Sequence, residues 1–365
     1  MKKYDVAAYV WPSYHYEPRA ERFWPEKDGE WYTVRRGTPR FPGHDMPKIP
    51  LLGYQDEADP AVMKQHVELA AEYGVNTFIM DWYWYDNEPC FERQLNDALI
   101  PALKGTTSKF YLMWANHDGD TLWDMHTDER KLIWSGKISR EIFEPMMDRI
   151  IDKYFKLDSY YRIDGKPVFS VFAPGHLVIG LGGVAETRDA LDWLRNRVSE
   201  KGLPGIHLQF IVRRGNNNGP EAVAELRGIS NEELVKVLGI DSGTNYHLAD
   251  IGIKEGDFVR MADAAISKWP EDEKHYPMLF PHASVGWDNT QRTPSLKTAV
   301  VNSTPATFEA CLHKAKQYID AHPDQPPLVT INSWNEWTEG SYLLPDMRWA
   351  YGYLEAIRKV FGPAR

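Results

Sequence analysis

The chain has 365 residues, a formal net charge of −10 and a hydrophobic fraction of 43%, ample for a core. The acid excess and the lack of a Lys/Arg stripe argue against a nucleic-acid partner, and no apolar run approaches the ~20 residues that span a bilayer, so no membrane partner is expected. Two cysteines, Cys90 and Cys311, are too few for a disulfide framework.

Met1-Lys2-Lys3 is basic, but the run behind it, Tyr4 to Val10, is only strand-length, contains Asp5 and stops at Trp11-Pro12. It reads as a first strand, not a signal peptide. The chain as given is expected in the cytoplasm, or in the periplasm or outside the cell if a leader has been removed. A polar and aromatic segment follows to about Ile49, and its Gly and Pro content predicts a loop or small hairpin folded over a site. Asp59-Pro60 starts a helix, the acid as N-cap and the proline in the first turn. Val62, His66, Leu69, Ala70 and Tyr73 continue it at helical spacing to Gly74.

Val75 to Asp81 predicts a second strand, which releases Asp81-Trp82-Tyr83-Trp84-Tyr85-Asp86 at its end. Four consecutive aromatics between acids suit a platform for sugar rings, and the 14 Trp and 19 Tyr of the chain point the same way. A helix over Cys90–Leu103 leads to a third strand, Lys109 to Trp114, ending in Ala115-Asn116-His117-Asp118. A helix from Ser139 to Phe155 precedes the fourth strand, Val168 to Phe172. Gly180-Leu181-Gly182-Gly183 lacks the spacing of a dinucleotide loop and reads as a loop before the helix Glu186–Lys201. The fifth strand is Ile206 to Val212, followed by an exposed turn at Gly215–Gly219 and a short helix, Asn231–Leu238. The sixth, Ser242 to Tyr246, ends in Tyr246-His247. A helix, Phe258–Trp269, leads to the seventh, Met278 to Ala283, which runs into a loop holding Trp287 and Asp288. The helix Phe308–Ala321, the eighth strand Leu328–Ile331 and a last helix, Tyr351–Val360, complete the chain. Eight strands alternating with helices predict an α/β fold, a (β/α)8 TIM barrel of one domain over 1–365 with long strand-end loops; a doubly wound sheet is the alternative.

The eighth strand organises the rest. It runs into Ser333-Trp334-Asn335-Glu336-Trp337-Thr338-Glu339-Gly340, and barrel chemistry sits at the carboxyl ends of the strands. The strand is expected to stop near Asn335, because Trp337 to Gly340 has turn chemistry. On a strand, Glu336 and Glu339 would face opposite sides; on a turn, three residues apart, both project into one pocket. Two carboxylates there raise each other's proton affinity, so one serves as acid while the other serves as base. Glycoside hydrolysis needs that division.

The candidate catalytic residues are therefore Glu336 and Glu339. Candidate sugar contacts at strand ends are Trp11, Asp81, Trp82, Tyr83, Trp84, Trp114, Asn116, His117, Tyr246, His247, Trp287, Asp288, Trp334 and Asn335. The histidines, among them His44, His126 and His282, show no paired ligand spacing, so neither a metal nor another cofactor is expected. No Gly-x-Ser-x-Gly marks a serine hydrolase. The expected partner is an oligosaccharide or polysaccharide, and the chain is expected to be a monomer or weak oligomer.

Trp334 to Gly340 resembles the Trp-Asn-Glu-Trp-x-Glu-Gly signature of family 99 glycoside hydrolases, the endo-α-mannosidases and endomannanases. The wider chain is still more similar to the bacterial WbsX-like proteins, often found in polysaccharide gene clusters. The matching stretches are Pro50 to Tyr54, Asp81 to Trp84, Met113 to Asn116, Gly286 to Thr290 and Ser333 to Asp346, so the resemblance covers nearly the whole length. It implies a (β/α)8 barrel and chemistry without a metal. It further implies that Glu336 deprotonates the sugar 2-hydroxyl to form a 1,2-anhydro intermediate, and that Glu339 is the acid and then the base, with retention of configuration. After the acid pair the family commonly has Tyr-Leu-Glu-Pro, where this chain has Tyr342-Leu343-Leu344-Pro345; the departure bears on the substrate class and not on the pair. WbsX-like proteins are also assigned as glycosyltransferases by gene context. A transferase or polysaccharide-assembly protein is thus the second expectation, although no glycine-rich diphosphate loop is present. A non-catalytic sugar-binding protein is the third, and an intact acid pair speaks against it.

Overall fold

In a computed structural model that describes residues 3–212, 229–251, 253–295 and 299–364, eight parallel strands follow one another around a sheet. They are β1 (Asp5–Val10), β2 (Thr77–Tyr85), β3 (Lys109–Trp114), β4 (Lys166–Val171), β5 (His207–Ile211), β6 (Ser242–Thr244), β7 (His282–Ser284) and β8 (Leu328–Asn332). Their spatial order is β6-β5-β4-β3-β2-β1-β8-β7. A parallel bridge from Gly243 of β6 to Leu279, just ahead of β7, joins the two edges. The expected (β/α)8 barrel is present, and its strands are near-continuously buried, as parallel strands covered on both faces must be. The turn expected at Gly215–Gly219 lies outside the described residues.

The outer layer contains α1 (Pro60–Tyr73), α2 (Arg140–Ile150), α3 (Val184–Glu200), α4 (Asn231–Leu238), α5 (Phe258–Ile266), α6 (Pro305–Ala321) and α7 (Gly352–Phe361). Helix α1 starts as its sequence dictates: the Asp59 side chain accepts from the Ala61 amide, and Gly74 ends the helix at φ 100°. Among the described residues no helix is long and apolar enough to cross a membrane.

Two local expectations are corrected. The strand expected to stop at Asp81 continues to Tyr85, turns at Asp86 and Asn87 with both φ positive (53° and 63°), and returns as Glu88–Cys90. Asp and Asn tolerate that turn better than most residues. The helix expected from Cys90 therefore begins only at Gln94. Pro174 to Leu181 is helical, with Gly182 as its left-handed cap at φ 98°, where the glycines predict a loop.

Register decides which side chains enter the barrel. Tyr9 of β1 meets Tyr246 and His282 across the interior, and Tyr9 pairs with Ile79 of β2. By alternation Asp81 and Tyr83 share that inner face, while Trp82 and Trp84 face the helices.

Candidate active site

Beyond β8, Asn335–Glu336 pairs antiparallel with Ser341–Tyr342. Between them Trp337–Glu339 makes one 3-10 turn, closed by Gly340 at φ 61°. Glycine is needed there, because a Cβ would stand 2.7 Å from the Cβ of Asp288. The expected turn is thus present, and it directs both glutamates to one cation. Arg292, on the loop after β7, reaches Glu339 Oε1 through Nη1 at 2.5 Å and Glu336 Oε1 through Nη2 at 3.6 Å. Its Nε donates to Glu30 Oε1 at 3.0 Å, and the side chains of Arg292 and Glu30 are 3% and 0% exposed. Glu30 also accepts from Trp11 Nε1 at 2.5 Å and from the Ser13 hydroxyl at 3.1 Å. The Trp11 ring lies 5.6 Å from the guanidinium carbon. A planar fork with several donors suits Arg for such a hub.

Glu336 has a second set of partners. Its Oε2 lies 2.9 Å from the Tyr246 hydroxyl and accepts from Asn332 Nδ2 at 3.3 Å. The same Tyr246 hydroxyl is 2.9 Å from Asp81 Oδ2. The chain ends of β2, β6 and β8 and the loops after β1 and β7 therefore meet at one cluster, the geometry by which barrels assemble sites.

Burial pushes Glu336 above the ordinary carboxylate range, while Arg292 and the hydrogen bonds from Tyr246 and Asn332 pull it back. Glu339 is pushed well above that range, by burial first and the charge of Glu336 second, with Arg292 and Lys254 opposing. The close Arg292 contact is of the charge-assisted kind and works against that rise. Such an arrangement can divide the pair into a base, Glu336, and an acid, Glu339.

Asp288 borders the turn from the β7 side. Its amide donates to the Glu339 carbonyl at 2.6 Å. Its Oδ2 lies 2.7 Å from His44 Nε2, and its Oδ1 accepts from Thr290. Burial pushes Asp288 up, but His44, Lys48 and Thr290 outweigh it and hold the carboxyl below its usual value. Trp287, Asp288 and Gly340 line a cavity of about 310 Å³ shared with His44 and Trp349.

Of the candidate sugar contacts, the structure gathers Trp11, Asp81, Tyr83 and Tyr246 with the acid pair, and sets Trp287 and Asp288 beside it. Tyr83 packs edge-on against Trp11 and His117, and His117 stays half-buried near that cluster. Four tryptophans fall elsewhere, which corrects the expected platform. Trp82 and Trp84 stack on each other at 5.6 Å on the outer face of β2, and Trp82 Nε1 donates to Glu92. Trp114 packs on Phe143 of α2, and Trp334 on His66 of α1. Three polar candidates serve the backbone instead. Asn116 bridges the Ala173 amide and carbonyl. His247 accepts from the Ala249 amide and donates to the Gly286 carbonyl. Asn335 clamps the Trp11 amide and carbonyl and donates to Glu57 at 2.6 Å.

Sequence reasoning missed Glu30, Arg292 and Glu57. Each is a charge in a polar loop with nothing in its neighbours to single it out, and the available cue was that these loops follow barrel strands. Among the described residues no group of three or more His, Cys, Asp or Glu is placed to hold a metal ion.

Known proteins give this site a context. The family described as Glycosyltransferase WbsX matches residues 6–357. Protein WxcX of Xanthomonas campestris pv. campestris (strain B100) is 27% identical over 373 aligned positions, covering 97% of this chain and 49% of its own. The chain thus spans about half the length of the curated relatives it matches. Among solved structures, a glycoside hydrolase-like protein superposes with a TM-score of 0.63 at 15% identity, over 99% of this chain and 94% of its own. The GH99 endo-α-mannosidase of Bacteroides thetaiotaomicron superposes with a TM-score of 0.59 at 15% identity, over 98% and 95%. At that identity the structures speak for the fold, whereas the family match runs through nearly all the chain: the protein belongs to the WbsX glycosyltransferase family.

Proposed function

We propose that this family member is a retaining glycoside hydrolase acting on an α-linked oligo- or polysaccharide through a 1,2-anhydro sugar. One observation carries the proposal: two buried glutamates on one turn share Arg292 yet differ in surroundings, Glu336 with Tyr246 and Asn332 as donors and Glu339 raised further by Glu336 itself. Glu336 takes the proton of the sugar 2-hydroxyl as that oxygen attacks the anomeric carbon, and Glu339 protonates the departing oxygen. Water then opens the three-membered ring at the anomeric carbon. Glu339 takes the water proton and Glu336 returns its proton to O2. Two inversions retain the configuration. A base acting on a 2-hydroxyl needs no direct line to the anomeric carbon, which is why both acids can come from one strand end. A manno-configured sugar is proposed by analogy with the endo-α-mannosidase of the same fold.

A panel of α-linked oligosaccharides incubated with wild type and Glu336→Gln, read by product chromatography, tests this. Sugar release by wild type that vanishes in the variant supports the proposal. No release from any substrate, with a nucleotide sugar consumed instead, overturns it.

The family description favours a glycosyltransferase as the second reading. The sequence does contain one Asp-x-Asp, Asp118-Gly119-Asp120. Its acids are committed to their own hairpin: Asp118 accepts from the Gly136 amide, and Asp120 caps Leu122 and pairs with Arg130 at 2.6 Å. That engagement supports the hydrolase over a metal-nucleotide site here.

A further inference from the structure

The protons around Tyr246 do not balance if every nearby carboxyl is ionised. The phenol oxygen lies 2.9 Å from Asp81 Oδ2 and 2.9 Å from Glu336 Oε2. A phenol has one proton to donate and lone pairs that accept. With both acids ionised, one contact would set a carboxylate against a lone pair in a site away from water, which is costly. One acid therefore carries a proton and donates it to the Tyr246 oxygen.

The surroundings name which one. Glu336 has Asn332 Nδ2 at 3.3 Å and Arg292 Nη2 at 3.6 Å to hold a negative charge. Asp81 is 2% exposed, and its Oδ1 is buried without a hydrogen-bond partner. The ionisable groups that face Asp81 are Glu336 and Glu339 from the loop after β8, Tyr246 from the loop after β6, and Tyr83 from its own strand. None of these brings Asp81 a positive charge. Burial, and then the charge of Glu336, raise the Asp81 carboxyl well above its ordinary value.

We propose that Asp81 is a neutral positioning acid, which donates to Tyr246 and thereby commits the phenol proton to Glu336 Oε2. Glu336 Oε1, on the Arg292 side, is then the oxygen left to take a proton from substrate. Asp81 acts through Tyr246 and is not a nucleophile toward the anomeric carbon. The proposal rests on the hydrolase reading for its consequence, but not for the protonation of Asp81.

Two measurements test it. Asp81→Asn places an amide donor where the acid proton stood and so keeps more activity than Asp81→Ala, which leaves the phenol oxygen without its donor and loses at least about tenfold in kcat. Equal loss in both variants, or the opposite order, overturns the proposal; a merely structural Asp81, whose packing an isosteric amide also preserves, is told apart by the infrared readout. Separately, the infrared difference between wild type and Asp81→Asn at pH 7 shows the band of a protonated carboxylic acid, and Tyr246→Phe, which keeps the ring and removes the acceptor, shifts that band. An ionised-carboxylate band in that difference overturns the proposal even if no glycoside is ever cleaved. A wild type inactive on every sugar, with the acid band present, sinks the hydrolase reading and leaves the protonation of Asp81 standing.

Discussion

Glu30 and Arg292, 262 positions apart in the chain, form a buried ion pair at 3.0 Å on which the acid turn rests. The pair ties the loop after β1 to the loop after β7, and the guanidinium passes from Glu30 to Glu339. Its charge is what allows several carboxyls to share one buried site.

Arg292→Leu leaves those carboxyls without a cation. Removing one partner of a buried pair costs about 3–5 kcal/mol. The midpoint of urea unfolding should fall accordingly, and activity should be lost with it. Unchanged stability would mean that Glu30 and Glu339 find other partners.

Glu339→Gln removes the acid of the proposed reaction. Turnover of glycosides with poor leaving groups should drop by about 10²–10⁴-fold, while activated aryl glycosides, whose departure needs no proton, are partly spared. Equal loss on both classes contradicts the assignment.

Glu57 predicts a pH dependence of stability. Burial raises its carboxyl to about 8, although Asn335 and Gln94 donate to it. An unfolded chain ionises the same group near ~4.3. The folded protein thus keeps a proton that the unfolded chain has lost, so this contribution is complete below about pH 4 and disappears as pH rises toward about 8. Glu57→Gln keeps an acceptor for both donors and cannot ionise. Unfolding followed from pH 5 to pH 9 should be flatter in the variant, which becomes the more stable protein by roughly a few kcal/mol at the alkaline end. Parallel curves would place the ionisation elsewhere.

Trp82→Ala should cost about 3–5 kcal/mol of stability, the usual range for emptying a large buried aromatic site, and leave KM unchanged. A raised KM at unchanged stability would put Trp82 back in the sugar site.

The Trp82 case shows where sequence reasoning stops. Most of the eight strands were legible because they are short apolar runs bounded by turn residues, a local signal; β6 (Ser-Gly-Thr) and β7 (His-Ala-Ser) are not, and β7 begins four residues beyond the Met278 expected. The acid turn was legible because Glu336, Glu339 and Gly340 lie within one stretch of chain. The faces of Trp82 and Trp84 were not. The four aromatics look like strand-end residues, but β2 continues into a hairpin, and alternation then turns two of them toward the helices. Glu30 and Arg292 were hidden for a different reason. Their partners are set by the closure of the barrel, and a charge in a polar loop carries no mark of the partner it will meet. Asn116, His247 and Asn335 lie where sugar contacts were expected, yet satisfy buried backbone groups, a demand that residue type alone does not separate from ligand binding.

The central claim is that Glu336 acts on a sugar 2-hydroxyl. The most direct measurement compares an activated α-glycoside with its 2-deoxy counterpart, following the first-formed product by proton NMR. The account predicts an α-configured product from the first and no turnover of the second. A β-configured product, or cleavage of the 2-deoxy glycoside at a comparable rate, would contradict it.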